Sequence, residues 1–130
     1  MTGSVLVVED DFDVRESIVD LLLDNDVRAV SAKDGRDGIL ELRLQGDVGV
    51  VILDLSMPMM DGEAFRSEQL ADPALAPIPV IVLSADSACA ERAAEIGAAA
   101  VLSKPFAPHD LLREVHRLNT GLARPTASVA

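Results

Sequence analysis

Cysteine occurs once, as Cys89, which rules out an internal disulfide and a cysteine-based metal site. Long apolar runs are absent, and none approaches the ~20 residues that a membrane-spanning helix requires. No basic stretch leads into an apolar segment behind Met1, so no signal peptide is expected and the cytoplasm is the default compartment. Cations are scarce: 11 Lys and Arg stand against 22 Asp and Glu, a net charge of −11. Such a chain repels nucleic acid and anionic lipid, which sets both aside as direct partners. What is present is 130 residues, 49% of them apolar, enough for one domain with its own core and too few for two.

Along the chain, strand and helix patterns alternate. Val5-Leu6-Val7-Val8 is a short apolar, β-branched run of the kind buried on both faces of a sheet. Asp11 or Asp13 can cap the helix that carries Val14, Ile18, Leu21 and Leu22 at helical spacing, and Asn25-Asp26 ends it. A weaker strand is expected over Val27–Ser31 and a helix over Asp34–Leu44, closed by Gly46. The third strand is Val48–Leu53, followed by a loop to Gly62 and a short helix to about Leu70. Asp72–Pro79, with three prolines, is a connection. Strands over Ile78–Leu83 and Ala99–Leu102 flank an Ala-rich helix over Ser87–Ile96. Pro108 opens a last helix striped by Leu111, Leu112, Val115 and Leu118. Five strand–helix units of this size imply an α/β fold with an open parallel sheet, because a closed eight-fold barrel needs about 250 residues.

Open parallel sheets bind ligands beyond the carboxyl ends of their strands. Glu9 and Asp10 follow the first strand, Asp54 the third, Ser84 the fourth and Lys104 the fifth. Singly, each has an ordinary reading as helix cap, turn residue or solvated charge. Helix capping does not explain acids and a lysine meeting at one end of a sheet. Carboxylates packed together oppose folding unless a cation joins them. The ligands would be oxygens, which suits Mg²⁺ better than Zn²⁺ or copper. A carboxylate, a divalent ion, a hydroxyl and a lysine are the parts that hold a phosphoryl group while an acid oxygen attacks phosphorus.

Val7-Val8-Glu9-Asp10, Leu53-Asp54-Leu55-Ser56-Met57-Pro58, Asp61-Gly62, Leu83-Ser84-Ala85 and Lys104-Pro105-Phe106 together resemble the receiver domain of two-component response regulators. The resemblance covers residues 4–118 and leaves 119–130 as a flexible tail. It implies a flavodoxin-like doubly wound sandwich, a five-stranded parallel sheet in the order 2-1-3-4-5 with five helices. It also implies roles. Asp54 matches the phosphoacceptor. Asp10, Asp54, the backbone carbonyl of Ser56 and, through water, Glu9 match the site for Mg²⁺, with Mn²⁺ as the alternative ion. Lys104 and Ser84 match the residues that contact the phosphoryl group, and Pro105 matches the proline after a cis peptide bond. Ser56 and Asp86 match positions that tune how long the phosphoryl group survives. The implied donor is a sensor histidine kinase or a histidine phosphotransfer protein. The implied readers are a downstream protein on the face of the fourth helix, fifth strand and fifth helix, or a second copy of the chain. With no effector domain visible after the last helix, a stand-alone receiver is expected.

One position departs from the family. Its switching aromatic lies three residues before the lysine, where this chain has Val101; Tyr and Trp are absent and the three Phe are Phe12, Phe65 and Phe106. That departure keeps open a degenerate receiver that works without phosphate. A third reading, a Mg²⁺-dependent phosphatase with an Asp nucleophile, expects a second Asp at position 56, where Ser56 stands.

Overall fold

The computed structural model describes residues 3–55 and 61–119. Its elements alternate as β1 (Ser4–Val8), α1 (Phe12–Asp24), β2 (Ala29–Ala32), α2 (Gly35–Gln45), β3 (Val48–Asp54), α3 (Asp61–Ala71), β4 (Val80–Ser84), α4 (Ser87–Glu95), β5 (Ala100–Ser103) and α5 (Pro108–Leu118). The strands pair in parallel in the order β2-β1-β3-β4-β5, the order that the resemblance implied. No helix among the described residues is long and apolar enough to cross a membrane.

Every residue of β1, β3 and β4 is buried, because helices cover both faces of the sheet. The two-residue period of a strand then divides the apolar side chains between two cores. Val5, Val7, Val50, Ile52, Ile81 and Leu83 pack with Ile18 and Leu22 of α1 and Leu111 and Val115 of α5. Leu6, Val8, Val51, Leu53, Val80 and Val82 pack with Ile39 and Leu42 of α2, Phe65 of α3, and Cys89 and Ala93 of α4.

Local chemistry sets the element ends. The Asp11 carboxylate, not that of Asp13, accepts the Val14 N–H at 3.1 Å and caps α1. Asp34 caps α2 through the Asp37 N–H at 2.8 Å, and Gly46 closes that helix in the left-handed region at φ 71°. β2 starts at Ala29 rather than Val27, because the Val27 N–H is spent on the Leu22 carbonyl at the end of α1. β4 starts at Val80 rather than Ile78, because the Ile78 N–H closes a turn on Leu75 and Pro79 has no N–H to offer.

The two residues that flank the expected 4–118 span, Gly3 and Asn119, bond to each other. Asn119 is buried; its Oδ1 accepts the Gly3 N–H at 3.1 Å and its Nδ2 donates to the Gly3 carbonyl at 2.8 Å. Residues 120–130 of the expected tail lie outside the described residues. Asn119 reaches Gly3 across Gly49 of β3, where an added Cβ would stand 1.9 Å from Asn119 Oδ1. Gly49→Ala should therefore destabilise the fold by about 1–3 kcal/mol in urea melts, by overpacking. In an Asn119→Ala background the same change should cost much less. Equal costs in both backgrounds would contradict this account.

Candidate functional site

The sheet register assembles the site. Val8 lies beside Ala32 and Leu53, Asp54 beside Leu83, and Ser84 beside Ser103. The carboxyl ends of all five strands thus stop at one level. Glu9 extends β1 by one residue, its N–H donating to the Ala32 carbonyl at 3.1 Å. The Lys104 N–H donates to the Ser84 carbonyl at 2.8 Å, which sets the lysine beside the end of β4. Asp54 is the last residue of β3.

Glu9, Asp10, Asp54 and Lys104, four residues from three strand ends, come together. Glu9 and Asp54 are 2% and 3% exposed, while Asp10 lies at the surface. One carboxylate oxygen from each of the three acids lies within 4.8 Å of the others. Lys104 Nζ stands 2.9 Å from Asp54 Oδ2 and 4.0 Å from Glu9 Oε1. Burial pushes the Glu9 carboxyl up to about 8; the Asp54 carboxyl adds to this, the Asp11 N–H works against it, and Asp10 adds again. That N–H donates to Glu9 Oε2 at 3.1 Å. Glu9 Oε1 is buried and accepts no hydrogen bond among the described residues. A buried acceptor in want of a partner, within an all-oxygen donor set, fits a hard divalent cation such as Mg²⁺. Ser56, expected to add a backbone carbonyl, lies outside the described residues.

The remaining expected residues fall around this centre. Ser84 is buried, and its hydroxyl donates to the Asp86 carbonyl at 2.6 Å. The Lys104–Pro105 peptide bond is cis. Val101 lies on the edge strand β5, 38% exposed, paired with Val82. Asp86 has a structural task that the sequence reading did not give it. Its carboxylate caps α4 by accepting the Cys89 N–H at 2.8 Å, which holds its pKa below the usual carboxylate value. Asp86→Ala should therefore lose stability whatever it does to phosphate lifetime, whereas Asp86→Asn should retain the cap. Melting both variants separates the two roles, and an Asp86→Ala protein as stable as the parent would remove the cap from the account.

Sequence reasoning missed several neighbours of the site. Arg15 donates from Nη1 to the Glu9 carbonyl at 2.8 Å and lies 5.4 Å over the Phe12 ring, bracing the turn that presents the acids. Arg92 of α4 reaches the Leu55 carbonyl, next to Asp54, and the Glu63 carboxylate of α3. Arg66, buried in α3, donates to the Ile96 and Gly97 carbonyls at the end of α4. Arg15 was open to notice as the lone cation among eight acids in residues 1–26. Glu63 and Arg92 are 29 residues apart and carried no local signal.

Comparison with known proteins agrees with this geometry. The chain is 43% identical over 109 residues to protein-glutamate methylesterase/protein-glutamine glutaminase 6 of Anaeromyxobacter dehalogenans, covering 80% of this chain and 30% of that protein. It is 38% identical over 121 residues to response regulator MprA of Mycolicibacterium vanbaalenii, covering 91% of this chain and 51% of that protein. The chain thus spans about half the length, or less, of these curated relatives. Among solved structures, the signal receiver domain of a signal transduction histidine kinase from Syntrophus aciditrophicus superposes with a TM-score of 0.83 at 32% identity, over 98% of this chain and 97% of that one. Chemotaxis protein CheY4 of Vibrio cholerae superposes with a TM-score of 0.81 at 26% identity, over 91% and 99% of the two chains. The family model for the response regulator receiver domain matches residues 5–116, and with strand order, acidic cluster and lysine all in place, the chain belongs to that family.

Proposed function

We propose that Asp54 accepts a phosphoryl group from a phosphohistidine on a partner protein, a sensor histidine kinase or a histidine phosphotransfer protein, and that the phosphorylated chain signals by altered protein binding. The observation that carries this reading is the Lys104 ammonium, 2.9 Å from Asp54 Oδ2 in a nest of two further carboxylates. An Asp54 oxygen attacks phosphorus; an O–P bond forms as the N–P bond to the donor imidazole breaks, and that nitrogen keeps the electron pair and takes up a proton. Glu9, Asp10 and Asp54, with the Ser56 carbonyl, would hold Mg²⁺, or Mn²⁺ in its place. When bound, the ion neutralises charge on the transferring oxygens. Lys104 supplies a second positive charge, 2.9 Å from Asp54 Oδ2. Of the three acids only Asp10 lies at the surface, whereas Glu9 and Asp54 are both buried beneath it.

Ser84 supplies the response. Its hydroxyl rests on the neutral Asp86 carbonyl, and a phosphoryl oxygen on Asp54 offers a charged and stronger acceptor. Turning toward it releases the Asp86 carbonyl, which also takes the Ala90 N–H in the first turn of α4. The end of the Ser84 route on α4 supports a reader that binds the α4–β5–α5 face, where Val101 offers no ring to swing. A downstream protein in the cytoplasm fits that face, with a second copy of the chain as the other candidate reader. Mass spectrometry of the intact chain after incubation with acetyl phosphate and Mg²⁺ tests the reading, and the absence of any phosphoryl adduct would overturn it.

A further inference from the structure

A side chain of α4 grips the main chain one residue beyond the phosphoacceptor. Arg92 Nη2 donates to the Leu55 carbonyl at 3.2 Å and to Glu63 Oε1 at 2.8 Å, and Arg92 Nε donates to Glu63 Oε2. Leu55 directly follows Asp54, and its own N–H is held by the Leu83 carbonyl of β4 at 3.3 Å. Leu55, the residue that leaves Asp54, is therefore held at both of its backbone polar groups, its N–H by β4 and its carbonyl by α4. The fork is partly sheltered, with the Arg92 and Glu63 side chains 35% and 21% exposed. Glu63 is held below the usual carboxylate range by its Arg92 partner. A planar guanidinium that engages a carboxylate through two nitrogens and a carbonyl through one of them has its orientation set, unlike a lysine on its flexible stem.

The Ser84 route reaches the first turn of α4 through the Asp86 carbonyl. Arg92 makes a second connection, from the body of the same helix to the Leu55 carbonyl just after β3. Both connections end on α4, while Val101 offers no aromatic ring for a path through β5.

We propose that Arg92 is a positioning residue of the phosphoacceptor site: by fixing the Leu55 carbonyl and anchoring to Glu63, it sets the backbone that leads out of Asp54 and carries the displacement of that backbone to α4. The proposal rests on the reading of Asp54 as phosphoacceptor. Misplacing a reacting group by a fraction of an ångström is enough to slow transfer substantially.

The test compares the parent chain with Arg92→Lys, Arg92→Met and Glu63→Gln. Each is assayed for its rate of phosphorylation by acetyl phosphate with Mg²⁺ and for shifts in the Ser87–Glu95 amide signals when beryllofluoride and Mg²⁺ are added. Positioning by the fork predicts labelling about 10-fold slower in Arg92→Lys, despite its retained charge, with the α4 amide shifts lost. Glu63→Gln should be slowed less, because the bond to Leu55 survives. If Arg92→Met does not fold, the other two variants decide the question. Parent-like labelling and parent-like α4 shifts in Arg92→Lys would overturn the proposal while leaving the phosphoacceptor reading intact. A parent chain that takes no label would overturn that reading, and the proposal with it.

Discussion

Incubated with acetyl phosphate and Mg²⁺, the parent chain is expected to gain one phosphoryl group, and Asp54→Asn to gain none. The amide that replaces the carboxylate cannot form an acyl phosphate, and Lys104 Nζ stands 2.9 Å from Asp54 Oδ2 against 4.0 Å from Glu9 Oε1. Lys104→Ala should be labelled about 10²–10³-fold more slowly, the usual cost of removing a fixed charge from the place where negative charge develops. Lys104→Arg should not restore the rate, because a planar guanidinium does not occupy the position of a compact ammonium. Glu9→Gln should still be labelled but should require more Mg²⁺, since it loses a charge and keeps an oxygen. A phosphoryl adduct on Asp54→Asn as abundant as on the parent would move the acceptor elsewhere and sink the assignment.

The second large effect concerns stability. The Glu9 carboxyl titrates at about 8 in the fold against 4.5 as an ordinary glutamate, so the fold favours its protonated form. A raised folded-state pKa contributes stability in full below the unfolded value and loses it as pH rises through the folded value. Without metal, unfolding free energy should therefore fall between pH 4.5 and about 8, by on the order of 2–4 kcal/mol from this group. Glu63 acts in the other direction: Arg92 depresses its pKa, so its contribution is present above the ordinary carboxylate range and lost in acid. The metal-free chain should thus be most stable near the lower end of that window. Urea melts in EDTA at several pH values check this. Mg²⁺ should flatten the decline, because a bound cation favours ionised Glu9, and Glu9→Gln should abolish it. A metal-free profile that is level from pH 5 to 8, or one unaltered in Glu9→Gln, would contradict the account.

Much of the fold was legible because the strands announce themselves. Val5–Val8, Val48–Leu53 apart from Gly49, and Val80–Leu83 carry an apolar side chain at every position, which a strand buried on both faces requires and an amphipathic helix does not show. Once those strands are set, Glu9, Asp10, Asp54, Ser84 and Lys104 fall at strand ends by counting. Asp86 was half legible: the sequence places it just before an Ala-rich helix, where a capping acid belongs, yet attention to its place after Ser84 hid that task. Gln69 was not legible at all. It is fully buried in α3 and its amide bonds the Leu75 and Ile78 carbonyls, satisfying the proline-rich turn before β4. A glutamine at that point in a polar helix looks like any solvated residue.

The amino-acid order by itself determined which residues could be ligands, nucleophile and counter-charge, since strand hydrophobicity and the placement of acids after strands are local properties. Tertiary structure alone decided how they are braced. Lys104 meets Asp54 across 50 residues of chain, Arg92 meets Leu55 across 37, and Asn119 meets Gly3 across 116. Such contacts exist because the parallel register and the two helical layers bring distant segments to one level, and a one-dimensional pattern carries no trace of that closeness.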